Sequence, residues 1–385
     1  MRVLHVVLNL HQGGLERVLG DLARGMDPRR FELHIVAVEF LGHLSRGLEE
    51  HARLYVAPRQ ERWSLLRPSA LAARIREIAP DIVHTHSGVW FKGSLAARMA
   101  DVPYVVHTDH GRQSPDPLTH RLLDGMASRR TDAIIAVSEA LARHLAGAVV
   151  HDPSRIAVIP NGIDTRRFCR FPVEAGIHQE LGVPANTVVI GSIGRLDPIK
   201  RFDVMIDAFA LLLRDNPLPN MPVLVIAGDG PERARLASLI AQRGLTGRAH
   251  LLGWRDDVHA LHATFSLFTM SSRSEGTSIG LLEAMSAELC PVVTDVGGNP
   301  AVLGEGLRHR LCRAEDARAL ADAWRAALVD RDRRLADGAA ARSRVREAFS
   351  LERVVRDHQA LYERGRARTA IRAPSAKPPN DPAIS

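Results

Sequence analysis

The sequence predicts an α/β protein made of two Rossmann-like parallel domains, and three observations carry that prediction. Short segments that are apolar on both faces recur along the chain, the first being MRVLHVVLNL at Met1–Leu10. Strands of that kind belong to parallel sheets covered by helices. Between them lie stretches with apolar residues at helical spacing, so strand and helix alternate. The alternation breaks at Pro160-Asn161-Gly162-Ile163-Asp164 and restarts at Thr187–Ile193, which divides the chain in two. A length of 385 residues with 45% apolar content can fill two cores.

In the first half, the opening strand runs into His11-Gln12-Gly13-Gly14 and a helix from Leu15 to about Met26. Glycines between strand and helix let the backbone approach an anion, though Gly13 and Gly14 alone more often mark a plain tight turn. The spacing is not G-x-G-x-x-G, which argues against a dinucleotide. A strand follows at Phe31–Glu39, a helix at Leu71–Ile78 stopped by Pro80, and a strand at Asp81–His86. Pro103–Gly111 (PYVVHTDHG) is a strand entering a loop; Leu118–Arg130 is a helix; Asp132–Val137 is a strand. Ser138-Glu139 caps a helix at Ala140–Leu145, and Ile156–Ile159 is the last strand of this half.

Histidines crowd the region: His84, His86, His107, His110 and His120. His84 and His86 share one face of a strand, a beginning for a metal site, but nothing nearby completes a compact ligand set. The segment Arg59–Arg67 (RQERWSLLR) mixes basic, aromatic and apolar residues. It reads as a membrane-surface contact or as a snorkelling helix face.

In the second half, the strand Thr187–Ile193 leads into Gly194-Arg195, with Lys200 at the start of the next helix. An arginine fork beside a mobile lysine suits a diphosphate. Val223–Ala227 is a strand ending at Gly228-Asp229-Gly230-Pro231, before a helix to about Arg243. His250–Leu252 is a strand entering Gly253-Trp254-Arg255-Asp256-Asp257-Val258, and Phe265–Met270 is another. Helices close the chain at Asp316–Leu328, Arg333–Ala348 and Leu351–Tyr362; the basic, proline-rich residues from Arg364 to Ser385 read as disordered.

Ser271–Asp295 holds the densest set of candidate ligands. Glu275 and Glu283 flank Gly276-Thr277-Ser278 and the apolar run that begins at Ile279. Thr277 or Ser278 caps a helix whose first amides have no internal partner and can receive phosphate or hydroxyl oxygens. Glu275 precedes those amides, and Glu283 lies roughly 8 Å further along the axis. Two carboxylates flanking a row of donors suit a ligand with an anionic middle and hydroxyls at both ends.

EGTSIGLLEAM and PVVTDVGGNPAV, together with G-R-L-D-P-I-K, HQGGLERV and PNGIDTRRF, resemble the family 4 retaining glycosyltransferases. The resemblance covers about Met1 to Tyr362 and implies the GT-B fold, with two domains facing across a cleft. It implies residues 1–164 as an acceptor-side domain, 165–350 as a nucleotide-sugar domain, and a helix at 351–362 crossing back to the first. By resemblance, Arg195 and Lys200 clamp the donor diphosphate, Glu283 holds the ribose hydroxyls, and Glu275 with Gly276, Thr277, Ser278 and Ile279 holds the transferred sugar. Gly13 and Gly14 lie beside the diphosphate, Trp254 or Arg255 meets the base, and His110 covers the sugar, with His107 as its competitor. His110, Arg195, Lys200 and Glu275 form the catalytic set. One departure from the family pattern is Ala287-Glu288-Leu289-Cys290-Pro291, where a small residue and glycine are usual; it puts the helix-to-strand turn in question.

The implied reaction moves a sugar from a UDP- or GDP-type donor to an acceptor hydroxyl, with no metal or other cofactor. The implied acceptor is a glycan of the polyprenyl-diphosphate-linked kind, and HVVLNLHQGGLERV and HTDHGR are similar to transferases of exopolysaccharide and exosortase-associated clusters. A nucleotide-sugar epimerase of the same fold and a non-catalytic nucleotide-binding partner are the alternatives. The net charge of +7 suits an anionic partner such as a membrane surface, and nothing indicates nucleic acid. Cys169, Cys290 and Cys312 lack disulfide or metal spacing, and neither a signal-peptide core nor a membrane-length apolar run is present. The expected location is cytoplasmic, peripheral on the inner membrane face.

Overall fold

The computed structural model describes residues 1–10, 14–42, 45–57, 67–112, 116–169, 176–215 and 221–372, with side chains as far as 368. Seven strands form the first sheet: β1 (Arg2–Val7), β2 (Glu32–Ala37), β3 (Arg53–Val56), β4 (Ile82–His86), β5 (Tyr104–Asp109), β6 (Ala133–Ala136) and β7 (Ile156–Val158). Their order is β3-β2-β1-β4-β5-β6-β7 and every pairing is parallel. Six strands form the second: β8 (Val189–Ile193), β9 (Val223–Ala227), β10 (Ala249–Gly253), β11 (Leu267–Met270), β12 (Pro291–Thr294) and β13 (Leu311–Cys312). Their order is β10-β9-β8-β11-β12-β13, again all parallel. Strand order reverses beside β1 in one sheet and beside β8 in the other. Crevices open at such points beyond the carboxyl ends of strands, and ligands bind there.

The strands are parallel because their residues leave no solvent face. β4, β5, β6, β9, β11 and β12 are buried throughout. Helices cover both sides of each sheet and give each domain two apolar layers. Several elements escape the sequence pattern, two of them in the first domain. β3 is a four-residue edge strand with no buried residue, too short and too polar to show period-two alternation. Helix Trp90–Met99 has no side-chain cap at its start, and its Gly93 packs so tightly that a Cβ would lie 2.6 Å from Thr85 Cγ2.

The chain crosses between the domains twice, side by side: Ile163 N–H donates to Phe349 O at 3.0 Å and Leu351 N–H to Ile163 O at 2.9 Å. Helix Leu351–Arg372 then returns to the first sheet, where Val354, Val355, Leu361 and Tyr362 join its core. This corrects the expectation of disorder from Arg364. Residues 364–372 continue the helix, whose Gly365 lies close enough to Tyr104 that a Cβ would be 2.5 Å from its ring. Residues 373–385 lie outside the described residues.

The questioned turn is built without glycine. Glu288 takes the left-handed conformation at φ +64, and Arg342 Nη1 donates to its carboxylate at 2.6 Å. Gly338 of helix Arg331–Ala348 makes room for it, since a Cβ there would lie 2.1 Å from Glu288 O.

Candidate active site

Helix Ile279–Ser286 starts beyond the carboxyl end of β11 with its N-terminus against the first domain. Ser278 caps it, its Oγ accepting the Leu281 N–H at 3.4 Å. Gly276 touches the loop after β5: a Cβ on it would sit 2.5 Å from His110 O, closer than any side chain tolerates. Thr277 Oγ1 donates to Val137 O beyond β6, and Asn161 Nδ2 donates to Thr277 O at 2.9 Å. Gly14, the first residue of helix Gly14–Gly25, faces Ile279, with 3.5 Å from a built Cβ to Ile279 Cγ1. Gly13 lies outside the described residues. Gly297 and Gly298 fold over the backbone of Glu275 and Gly276, and Gly298 N–H donates to Glu275 O at 3.1 Å.

Glu283 is 1% exposed, and Arg17 of the first domain donates to its Oε1 at 2.7 Å. Burial pushes its carboxyl up to about 7, against the opposing pull of Arg17. Arg17 went unread in the sequence; its place in HQGGLERV, one helical turn after Gly14, was the available signal. Glu275 is held from two sides, by Lys200 Nζ at 2.7 Å and Ser272 Oγ at 2.5 Å.

Lys200 ends a short 3-10 turn, Pro198–Lys200, instead of opening the following helix, which starts at Phe202. Pro198 sets the turn and Arg201, at φ +51, separates it from the helix. Arg195 stays mostly exposed, paired with Asp197. It also draws down the Glu16 carboxyl, which burial raises. Gly280 abuts Ile193 O at the end of β8, so the Gly194–Lys200 loop and the capped helix share one crevice.

At the far edge, Trp254 is 40% exposed and donates its Nε1 to Asp256 Oδ1 at 3.0 Å. Arg255 is committed within the domain, to Asp257 at 2.5 Å and to Glu180 at 2.7 Å. Of the two residues expected near the base, Trp254 is the more exposed.

His110 and His107 part ways. His107 is fully buried, stacked on Trp90 with ring centroids 3.9 Å apart. His110 sits at the seam against Gly276, its N–H donating to Ser87 Oγ at 2.9 Å. Behind it, the Arg112 guanidinium reaches Asp109, Asp116 and Asp124 at 2.7, 3.1 and 2.8 Å. Beneath His110 lies a histidine stack that changes the metal argument. His5 of β1 pairs in register with His84 and brings a third ligand to His84 and His86, all three buried with ligand atoms within 4.8 Å of one another. The sequence found no such third ligand because His5 is remote in the chain. Most of the nitrogens are already engaged: His5 Nδ1 with His86 Nε2 at 3.0 Å, and His84 with Tyr362 Oη at 2.6 Å and Thr108 Oγ1 at 2.7 Å.

A cavity of about 790 Å³ opens beyond the first strands of the first sheet, lined by Leu8, Val38, Val56, Trp90, Lys92 and Asp124 among others. Leu118 and Leu122 stand 70% and 69% exposed on the helix Leu118–Ser128 that contributes its wall. Among the described residues, no helix is long and apolar enough to cross a membrane.

The chain is similar to known proteins. The family model for glycosyltransferase family 4 matches residues 12–167, and the model for glycosyl transferases group 1 matches residues 174–344. The UDP-Gal:α-D-GlcNAc-diphosphoundecaprenol α-1,3-galactosyltransferase of Escherichia coli is 29% identical over 78% of this chain and 80% of its own. The N-acetyl-α-D-glucosaminyl L-malate synthase of Bacillus anthracis is 27% identical over 76% of this chain and 78% of its own. The crystal structure of Anabaena HepE with UDP and glucose superposes with a TM-score of 0.82 at 24% identity, covering 94% of this chain and all of that one. The lipopolysaccharide transferase WaaG superposes at 0.71 with 19% identity, over 91% of this chain and 97% of its own. With both halves matched by adjoining models on this two-sheet fold, the chain belongs to the family 4, group 1 glycosyltransferases of GT-B architecture.

Proposed function

We propose that the protein transfers a sugar, with retention of configuration and without a metal ion, from a UDP- or GDP-sugar to an acceptor hydroxyl. One observation carries the reading: a capped helix at the seam places its first amides between Glu275 and buried Glu283, with the Arg195–Lys200 loop in the same crevice. The ribose is held by Glu283 and the diphosphate by Arg195, Lys200 and the helix amides. Those cations stabilise charge developing on the leaving diphosphate. Trp254 meets the base, and His110 lies over the sugar. Glu275 is engaged by Lys200 and Ser272, and Glu283 by Arg17, which supports a hydrogen-bonding role over a nucleophilic one.

The acceptor occupies the cavity of the first domain. Its mixed lining and the exposed Leu118 and Leu122 suit a polyprenyl-diphosphate-linked glycan, the acceptor class named for the Escherichia coli relative, in cell-surface or exopolysaccharide synthesis. A screen of UDP- and GDP-sugars with and without lipid-linked acceptors, in excess chelator, tests the reading. The expected result is nucleoside diphosphate release and a new bond of the donor's anomeric configuration. Sugar epimerised without acceptor would make it an epimerase, and tight donor binding without turnover a non-catalytic partner. Activity lost to chelator and restored by a divalent ion would overturn the metal-free mechanism.

A further inference from the structure

His5, His86 and His110 form a continuous chain from the middle of the first sheet to the seam. His5 Nδ1 meets His86 Nε2 at 3.0 Å, and His86 Nδ1 meets His110 Nε2 at 3.1 Å. The outer atoms, His5 Nε2 and His110 Nδ1, are buried with no partner among the described residues. We propose that these three rings act as one tautomeric unit, in which His86 and His5 are positioning residues that set what the His110 ring offers to a ligand. This rests on the reading of His110 as a site residue.

The argument follows from proton counting. Desolvation lowers His5 and His110 to about 3 and His86 well below its usual value, so all three rings are neutral. A neutral imidazole has one N–H and one lone pair. His86 has a histidine at each nitrogen, so it donates to one and accepts from the other. Only two arrangements satisfy both contacts. Either all three rings carry the proton on Nδ1, leaving His110 Nδ1 a donor, or all three carry it on Nε2, leaving that atom an acceptor. Every mixed arrangement sets two N–H groups or two lone pairs against each other. The state of His5, buried on β1 in the middle of the first sheet, therefore dictates the hydrogen-bonding character of His110.

The test is long-range proton–nitrogen NMR on full-length protein labelled with ¹⁵N-histidine, with signals assigned through His110→Ala and His86→Ala. The three rings should show the same protonated nitrogen. His5→Phe should alter the His110 ¹⁵N pattern and lower kcat roughly tenfold to a hundredfold, with donor KM nearly unchanged, the scale expected of a misplaced group. His5→Asn keeps a polar atom where Nδ1 stands and should restore both. Mixed tautomers, or a His110 pattern indifferent to His5→Phe, would overturn the proposal. So would a stoichiometric transition metal in the protein as purified, because ligation would consume the His5–His86 contact. If wild-type protein transfers no sugar, the site reading fails, while the tautomer measurement still reads out the chain by itself.

Discussion

Glu283 is the residue whose chemistry is most constrained by its surroundings. Its folded value of about 7 stands above the ordinary 4.5 because burial penalises the charge. A raised acid contributes stability that is fully present below about 4.5 and lost as pH climbs through about 7. Unfolding free energy of ligand-free protein should therefore fall across that window relative to Glu283→Gln, which removes the slope; equal slopes in denaturant titrations would refute this. If Glu283 holds the ribose as proposed, the hydroxyls donate to its charged form, so nucleotide affinity should rise as pH approaches about 7 and then level off. Glu283→Ala should cost about 1.5–3 kcal/mol of nucleotide affinity by calorimetry, the worth of hydrogen bonds to a charged acceptor. The diphosphate clamp makes a separate prediction. Arg195→Ala and Lys200→Ala should each lower turnover by about two orders of magnitude, as losing a transition-state donor does. Both should weaken nucleoside diphosphate more than nucleoside, and equal losses would count against the clamp.

Among the elements, helix Ile279–Ser286 depends on the turn that follows it. Glu288 accepts a left-handed backbone that costs a non-glycine residue about 1–2 kcal/mol. Its ion pair with Arg342 and the close approach of Gly338 hold it there. Gly338→Ala puts a methyl 2.1 Å from Glu288 O, so helix Arg331–Ala348 must move away. We expect a loss of roughly 1–3 kcal/mol in stability, the usual scale for overpacking. Thermal unfolding within a degree of wild type would show that the turn has slack.

At the scale of the molecule, the two sheets present their carboxyl ends to a common seam, and the cavity of the first domain opens beside exposed apolar residues. Arg59 and Arg62 of the basic segment lie outside the described residues, while Arg67 is exposed. If the acceptor is lipid-linked, the protein should sediment with anionic vesicles at low salt and be released at high salt, each nearby cation contributing about 1 kcal/mol. Replacing Arg59, Arg62 and Arg67 together should weaken sedimentation and leave nucleotide affinity unchanged. Indifference of intact protein to anionic vesicles would favour a water-soluble acceptor.

The sequence by itself determined the α/β class, the helix carrying Glu283, and a cap for that helix at Thr277 or Ser278. All of these are local: strand hydrophobicity, helical spacing and a capping hydroxyl act within a few residues. Tertiary structure alone decided which groups meet. Arg17 reaches Glu283 across 266 positions, His5 reaches His86 across 81, and Lys200 reaches Glu275 across 75. It also separated His110 at the seam from His107 beneath Trp90, and it paired Arg255 with Glu180 and Asp257 while leaving Trp254 exposed. No local pattern encodes these partners. They follow from strand order, from the angle at which two sheets face each other, and from the burial that makes one carboxylate or one imidazole titrate unlike the rest.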